Sequence, residues 1–280
     1  MEVARRTGAA VVSVDSMQVY RGMDIGTAKP TPAERLEVAH GMIDVAEPSY
    51  DYTVAEFQAG ARRFIRFAER PVVIVGGSGL HFRSVVDPLT FPDHDPEIRA
   101  ELESLDLDRL VERLLELDPS AGEGIDLHNP RRVVRALEIA LVTGETPTER
   151  RSSEEYAAVQ AYRPLIPFVG VGVDPGESIE DRIRQRTRRM IASGLVEEVR
   201  RLAGSLGRNA AQAVGYKEII PVVEGQASLE PAIDEIDRAT VALAKRQRTF
   251  FRRDPRIEWL APDTSTDEVV AYCLDVWRRE

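Results

Sequence analysis

Cysteine is nearly absent from this sequence. Cys273 stands alone among 280 residues, which excludes a disulfide framework and a zinc site built on cysteines. No apolar run approaches the roughly 18 residues needed to cross a bilayer. The opening "MEVARRTGAA" lacks the long apolar stretch of a secretory signal. Repeats and low-complexity stretches are missing too. These absences lead to the expectation of a cytoplasmic protein with no membrane association. What is present suits a globular fold: 43% hydrophobic and 30% charged residues, in a length that fits one large domain or two modest ones.

The net charge is −10 and the isoelectric point is near 5.1. Taken globally, that argues against a polyanionic partner. Basic residues are nevertheless clustered. Arg182, Arg184, Arg186, Arg188 and Arg189 crowd one segment, and Arg131, Arg132 and Arg135 form a second group. Arg238, Lys245, Arg246, Arg248, Arg252 and Arg253 form a third. A polyanion responds to local potential, so an acidic chain with such patches can still bind one. For any one cluster alone, a solvated helix face is the simpler account.

Residues 10–14 read as a buried strand that ends abruptly in Asp15-Ser16-Met17-Gln18. Thr31 with Glu34, and Thr53 with Glu56, suit N-cap and capping-box positions; the second pair opens a helix expected from Val54 to Glu69. The apolar run Val72 to Val75 reads as another strand, followed by Gly76-Gly77-Ser78-Gly79. Strand, capped helix and strand make a βαβ pattern, and hence a parallel sheet. From residue 93 to 157 the spacing is helical throughout, with a helix beginning after Pro130 and ending near Gly144. Strand character returns at "PFVGVGVD". One helix is then expected from about Ser178 through Arg201, and the remainder is mostly helical with a late strand at "IEWL". The expected division is an α/β core over 1–92 and 158–280 with a helical insertion over 93–157.

Three features can carry chemistry. Asp15 sits at the carboxyl end of a strand, where open α/β sheets bind ligands. A carboxylate there can accept a proton or hold a metal through water; a helix cap or Asx-turn fits the position equally well. "VGGSG" lets backbone N–H groups of Gly76 and Gly77 approach an anion, with Ser78 as an added donor; a tight turn is the plain alternative. Arg182, Arg186 and Arg189 fall on one helix face, where diphosphate, RNA or surface carboxylates would relieve their repulsion.

The strings "VVSVDSMQVYRGMDIGTAKP", "HGMIDV", "DYTVAEFQ", "VIVGGSGLHF", "NPRRVVRALEI", "QRTRRMIASGLVEEV", "QAVGYKEI" and "AKRQRTFFRR" occur in this order. Together they resemble the tRNA dimethylallyltransferase (isopentenyl transferase) family over nearly the whole chain. The resemblance implies a P-loop-kinase-like parallel core, a helical insertion gripping the tRNA anticodon stem-loop, and Mg2+. It implies transfer of a dimethylallyl group from dimethylallyl diphosphate to the exocyclic amine of the adenosine 3′ of the anticodon. Residue by residue, it implies Asp15 as general base, with Ser16, Met17 and Gln18 in a tRNA-contacting stretch. Ser78, Arg99, Arg131, Arg132 and Arg135, and the segment of Gln212, Gly215, Tyr216 and Lys217, match further tRNA contacts. Arg132 and Arg186 match positions that assist the diphosphate, beside Gly76 and Gly77. A monomer is the default expectation. Alternatives are an adenylate isopentenyltransferase acting on free nucleotide, and an inactive RNA-binding remnant.

One departure stands out. The family carries G-x-T-x-x-G-K-[ST] upstream of the Asp15 strand, and no G-x-x-x-x-G-K occurs among these residues. The resemblance therefore implies a missing first strand and P-loop, as from a translation start at an internal Met, and weak or no activity for the chain as written. The loss of that strand would leave neighbouring strands with unpaired backbone groups.

Overall fold

A short helix, α1 (Glu2–Thr7), ends at Gly8, whose φ of 67° makes the left-handed cap that glycine adopts without strain. The chain turns there into β1 (Ala10–Ser13), and all four of its residues are buried. After a long loop, Thr31 opens α2 (Pro32–Glu37) with a reciprocal capping box to Glu34. Strand β2 (His40–Gly41) follows. Thr53 and Glu56 make the same reciprocal cap at α3 (Val54–Phe67), which buries Phe57 and Ala61. That helix stops two residues short of Glu69 and leads to β3 (Val72–Val75) and then α4 (Gly79–Val86). The coordinates come from a computed structural model and describe residues 1–174, 176–262 and 264–279.

The sheet runs β2-β1-β3 and is parallel throughout, with Val11 opposite His40 and Val73. Among the described strands only β1 is paired on both sides, which explains why it alone of them is fully buried. Strand β3 differs from the expectation its apolar run creates: it is half-buried, and Val75 is 49% exposed. It pairs with β1 along one edge, and among the described residues no strand lies along the other. Side chains that a central strand would bury therefore stay near solvent.

Residues 86–166 form one compact unit and the rest of the chain another. The smaller unit is helical: α5 (Pro96–Glu103), α6 (Leu107–Leu117), α7 (Pro130–Thr143), α8 (Pro147–Arg151) and α9 (Glu154–Gln160). Asp95, Asp106, Asn129, Thr146 and Ser153 each accept a backbone N–H at the corresponding N-terminus. Its core is Leu102, Leu110, Leu114, Val133, Val134 and Leu137.

The larger unit resumes with β4 (Gly170–Gly172), then α10 (Ile179–Ala192), α11 (Leu195–Leu202), α12 (Tyr216–Val223), α13 (Leu229–Phe251), β5 (Ile257–Trp259) and α14 (Thr266–Arg279). Strands β4 and β5 pair with each other in parallel, so the described strands form two small sheets instead of one. The single helix expected through Arg201 is two helices. Gly194, at φ 99°, breaks it between α10 and α11. No described helix is long and apolar enough to cross a membrane.

A buried carboxylate fastens the long loop after β1 to the later helices. Glu198 of α11 is 1% exposed. It accepts from the backbone N–H groups of Asp24 (3.0 Å), Ile25 (2.9 Å) and Gly26 (3.1 Å), and from the Tyr216 hydroxyl at 2.5 Å. Burial, with Glu198 beside it, pushes the Tyr216 phenol far up. Gly26 has no room for a side chain: a Cβ there would lie 2.4 Å from the Tyr216 ring. Glu198→Ala leaves three backbone donors and a phenol without their acceptor, and is expected to cost about 3 kcal/mol or more. Tyr216→Phe removes one bond and is expected to cost about 1–2 kcal/mol. Urea unfolding checks both; equal, negligible shifts would contradict the clamp.

Candidate active site

Asp15 lies immediately beyond the carboxyl end of β1, half-buried. Its Oδ1 accepts from the backbone N–H of Met17 at 2.7 Å and of Gln18 at 3.3 Å. This is an Asx-turn, one of the two roles the position suggests. The turn uses one oxygen only. Among the described residues no donor bonds Oδ2, so the same geometry that anchors the carboxylate leaves it an open acceptor. Gln18 extends the anchorage: its Oε1 accepts from Ser13 Oγ at 2.8 Å, and its Nε2 donates to the Thr27 carbonyl at 3.0 Å. Ser16 and Met17 are half-buried beside it.

The glycine loop joins β1 at the same edge. Val14 N–H donates to Val75 O at 2.8 Å, and Ser78 N–H to Val14 O at 3.3 Å. Gly76 is exposed and Gly77 half-buried. Helix α13 presses on this loop: a Cβ at Gly77 would lie 2.6 Å from the Gln247 amide, and one at Gly79 would enter the Phe250 ring. The glycines thus serve close packing of α13 as well as access to their N–H groups. Sequence reasoning missed Gln247; its place in "AKRQRT" carries no local signal of contact with residue 77.

Arg186, on α10, shares this region. Its guanidinium is lowered by desolvation and by Arg189, and held up by the negative charge of Asp15. It forms no ion pair among the described residues, and the residue as a whole is exposed. An arginine that feels a carboxylate without being neutralised by it can still meet an anionic ligand. On the same helix Arg184 is engaged by Asp181 at 3.1 Å. In "QAVGYK" the structure divides the expected contacts. Gln212 and Lys217 are exposed, whereas Gly215 and Tyr216 are buried. Tyr216 points to Glu198, so its side chain offers nothing to an external ligand.

In the helical unit Arg131 and Arg132 are exposed at the start of α7, and Arg132 lies 3.9 Å from Asp126. Arg99 and Arg135 are organised by a residue that the sequence did not single out. Glu138 is fully buried and receives Arg135 Nη1 at 2.8 Å, Arg99 Nη1 at 3.3 Å, and His94 Nδ1. Burial pushes its carboxyl up, but Arg135, His94 and Arg99 outweigh this and hold it below the ordinary 4.5. A depressed carboxylate adds stability above its unfolded value and loses it as pH falls through the folded value. Glu138→Gln is therefore expected to cost about 1.5–3 kcal/mol at neutral pH. The gap to the parent should close as the pH falls below 4.5. Denaturant titrations across that range check this; a gap independent of pH would contradict it.

Among the described residues, no three or more His, Cys, Asp or Glu side chains converge to hold a metal ion.

The IPP transferase family profile matches residues 18–254. The tRNA dimethylallyltransferase of Streptomyces griseus subsp. griseus is 44% identical over 270 residues, spanning 92% of this chain and 84% of its own. That of Bifidobacterium adolescentis is 41% identical over 266 residues, spanning 92% and 76%. The crystal structure of tRNA delta(2)-isopentenylpyrophosphate transferase from Staphylococcus epidermidis superposes with a TM-score of 0.71 at 30% identity, covering 100% of this chain and 93% of that one.

Proposed function

This chain belongs to the IPP transferase family, and from that premise we propose a reaction and a role for each group at the β1 edge. The chain is a tRNA dimethylallyltransferase: it transfers a dimethylallyl group to tRNA. The donor is dimethylallyl diphosphate, and the acceptor is the exocyclic amine of the adenosine 3′ of the anticodon. The observation that carries the reading is Asp15, with one carboxylate oxygen tied down by two amides and the other open.

An adenine amine is a weak nucleophile because its lone pair is delocalised into the ring. As the new N–C bond forms at the allylic carbon, the C–O bond to diphosphate breaks and the amine becomes acidic. Asp15 Oδ2 takes that proton. Arg186 meets the charge that develops on the departing diphosphate, and Gly76 and Gly77 offer it backbone donors. In the helical unit, Arg99, Arg131, Arg132 and Arg135 supply positive charge for RNA phosphates. An adenine within an anticodon loop must leave its stack to enter such a site.

Magnesium is proposed to arrive with the diphosphate. The ion keeps several waters and binds through one or two carboxylates plus substrate phosphates. Asp15 is a single carboxylate with one oxygen already committed, so these residues make no protein cage for it.

Incubation of the intact protein with labelled dimethylallyl diphosphate, and with either an anticodon stem-loop or AMP, tests the reading. Label on the stem-loop adenosine is expected. Label on AMP alone would contradict it in favour of free nucleotide.

A further inference from the structure

His81 is not used by the reaction as described, yet it sits beside it. The residue lies in the first turn of α4, and its Nδ1 is 2.8 Å from Ser78 Oγ. Its ring meets Phe57 edge to face, with centroids 4.6 Å apart and planes at 83°. Phe57 is fully buried in α3, so the ring is braced from behind. Nε2 has no hydrogen-bond partner among the described residues. Burial lowers the imidazole below its ordinary value, and Asp15, the charged group facing it, partly opposes this. At neutral pH the ring is neutral, and one nitrogen carries the proton.

Which nitrogen carries it decides what Ser78 can do. If Nδ1 is bare, Ser78 spends its O–H on the ring and shows a ligand only lone pairs. If Nδ1 carries the proton, the ring donates to Ser78 Oγ and the serine O–H is free to point outward. Ser78 follows the glycine pair at the carboxyl end of the sheet, where anionic ligands bind. The groups such a ligand presents are phosphate oxygens, which accept and do not donate.

We propose that His81 is a positioning residue that donates from Nδ1 to Ser78 Oγ, so that the Ser78 hydroxyl is held ready to donate to a phosphate oxygen of the substrate. The inference rests on the reading above for the identity of that substrate. The phosphate belongs either to the allylic diphosphate or to the RNA backbone. Separate KM values for dimethylallyl diphosphate and for the anticodon stem-loop distinguish the two.

Ser78→Ala and His81→Phe are each expected to raise one of these KM values about tenfold, the scale of one lost hydrogen bond. Phenylalanine keeps the ring against Phe57 but cannot donate. Because both changes remove the same bond to phosphate, the double variant should also show about a tenfold rise. His81→Asn, whose amide nitrogen can stand near the Nδ1 position, should restore KM to within a few-fold. Nitrogen NMR of the imidazole in the intact protein should find the proton on Nδ1, and Ser78→Ala should perturb that signal. Multiplying effects in the double variant, unchanged KM values, or a proton on Nε2 would each overturn the proposal. If the parent protein labels no RNA, the functional reading has failed; the NMR result still decides the role of His81.

Discussion

Asp15→Ala is expected to lower the turnover of dimethylallyl transfer by about two orders of magnitude or more, the contribution of a well-placed general base. RNA affinity should change far less, because the carboxylate acts on a proton that moves only as the bond forms. The structure sharpens this expectation. Asp15 also caps its own turn through Met17 N–H and Gln18 N–H, so alanine removes both a base and an anchor. Asp15→Asn separates them: its side-chain oxygen can still accept both N–H groups, but the amide cannot take the amine proton. Asn should therefore be nearly as slow as Ala while melting closer to the parent. Turnover within a few-fold of the parent in Asp15→Asn would leave Asp15 as a structural cap only.

Arg186→Ala should lower turnover by tens- to a thousandfold, the range for removing one charge-stabilising donor. The guanidinium feels Asp15 and Arg189 but is bound by no carboxylate among the described residues. Its charge is therefore not already spent within the protein. Arg186→Lys should recover part of the loss, since an ammonium replaces a fork with a point charge. Steady-state kinetics with varied dimethylallyl diphosphate reads both. Unchanged kcat and KM for the donor would place Arg186 among the solvated arginines of α10.

The signals that proved legible in the sequence are local. The capping boxes at Thr31 and Thr53, the Asn129-Pro130 start and Gly144 end of α7, and the buried β1 strand each depend on residues within a few positions of one another. The place of Asp15 at the carboxyl edge of the sheet was legible because strand polarity fixes which end of a parallel strand it follows. What stayed hidden depends on distant partners. Glu198 reads as one more acid in "LVEEV", yet its partners Asp24, Ile25 and Gly26 lie more than 170 positions earlier. Glu138 reads as a surface charge next to Arg135, yet it is buried because the α7 face that carries Val134 and Leu137 turns it inward. Tyr216 is hidden for the same reason: the resemblance places it in a tRNA-contacting segment, and only the three-dimensional fold shows its ring buried against Gly26 with its hydroxyl on Glu198. The break at Gly194 carried a sequence signal, Ser-Gly before a new apolar turn, that helical spacing on either side outweighed.

The central claim is that Asp15 removes the amine proton while the allyl group transfers to RNA. The most direct measurement is the single-turnover rate of the intact protein on a bound anticodon stem-loop, compared between the parent and Asp15→Asn. The account predicts an Asp15→Asn rate about two orders of magnitude or more below the parent with the stem-loop still bound. An Asp15→Asn rate within a few-fold of the parent would contradict the account.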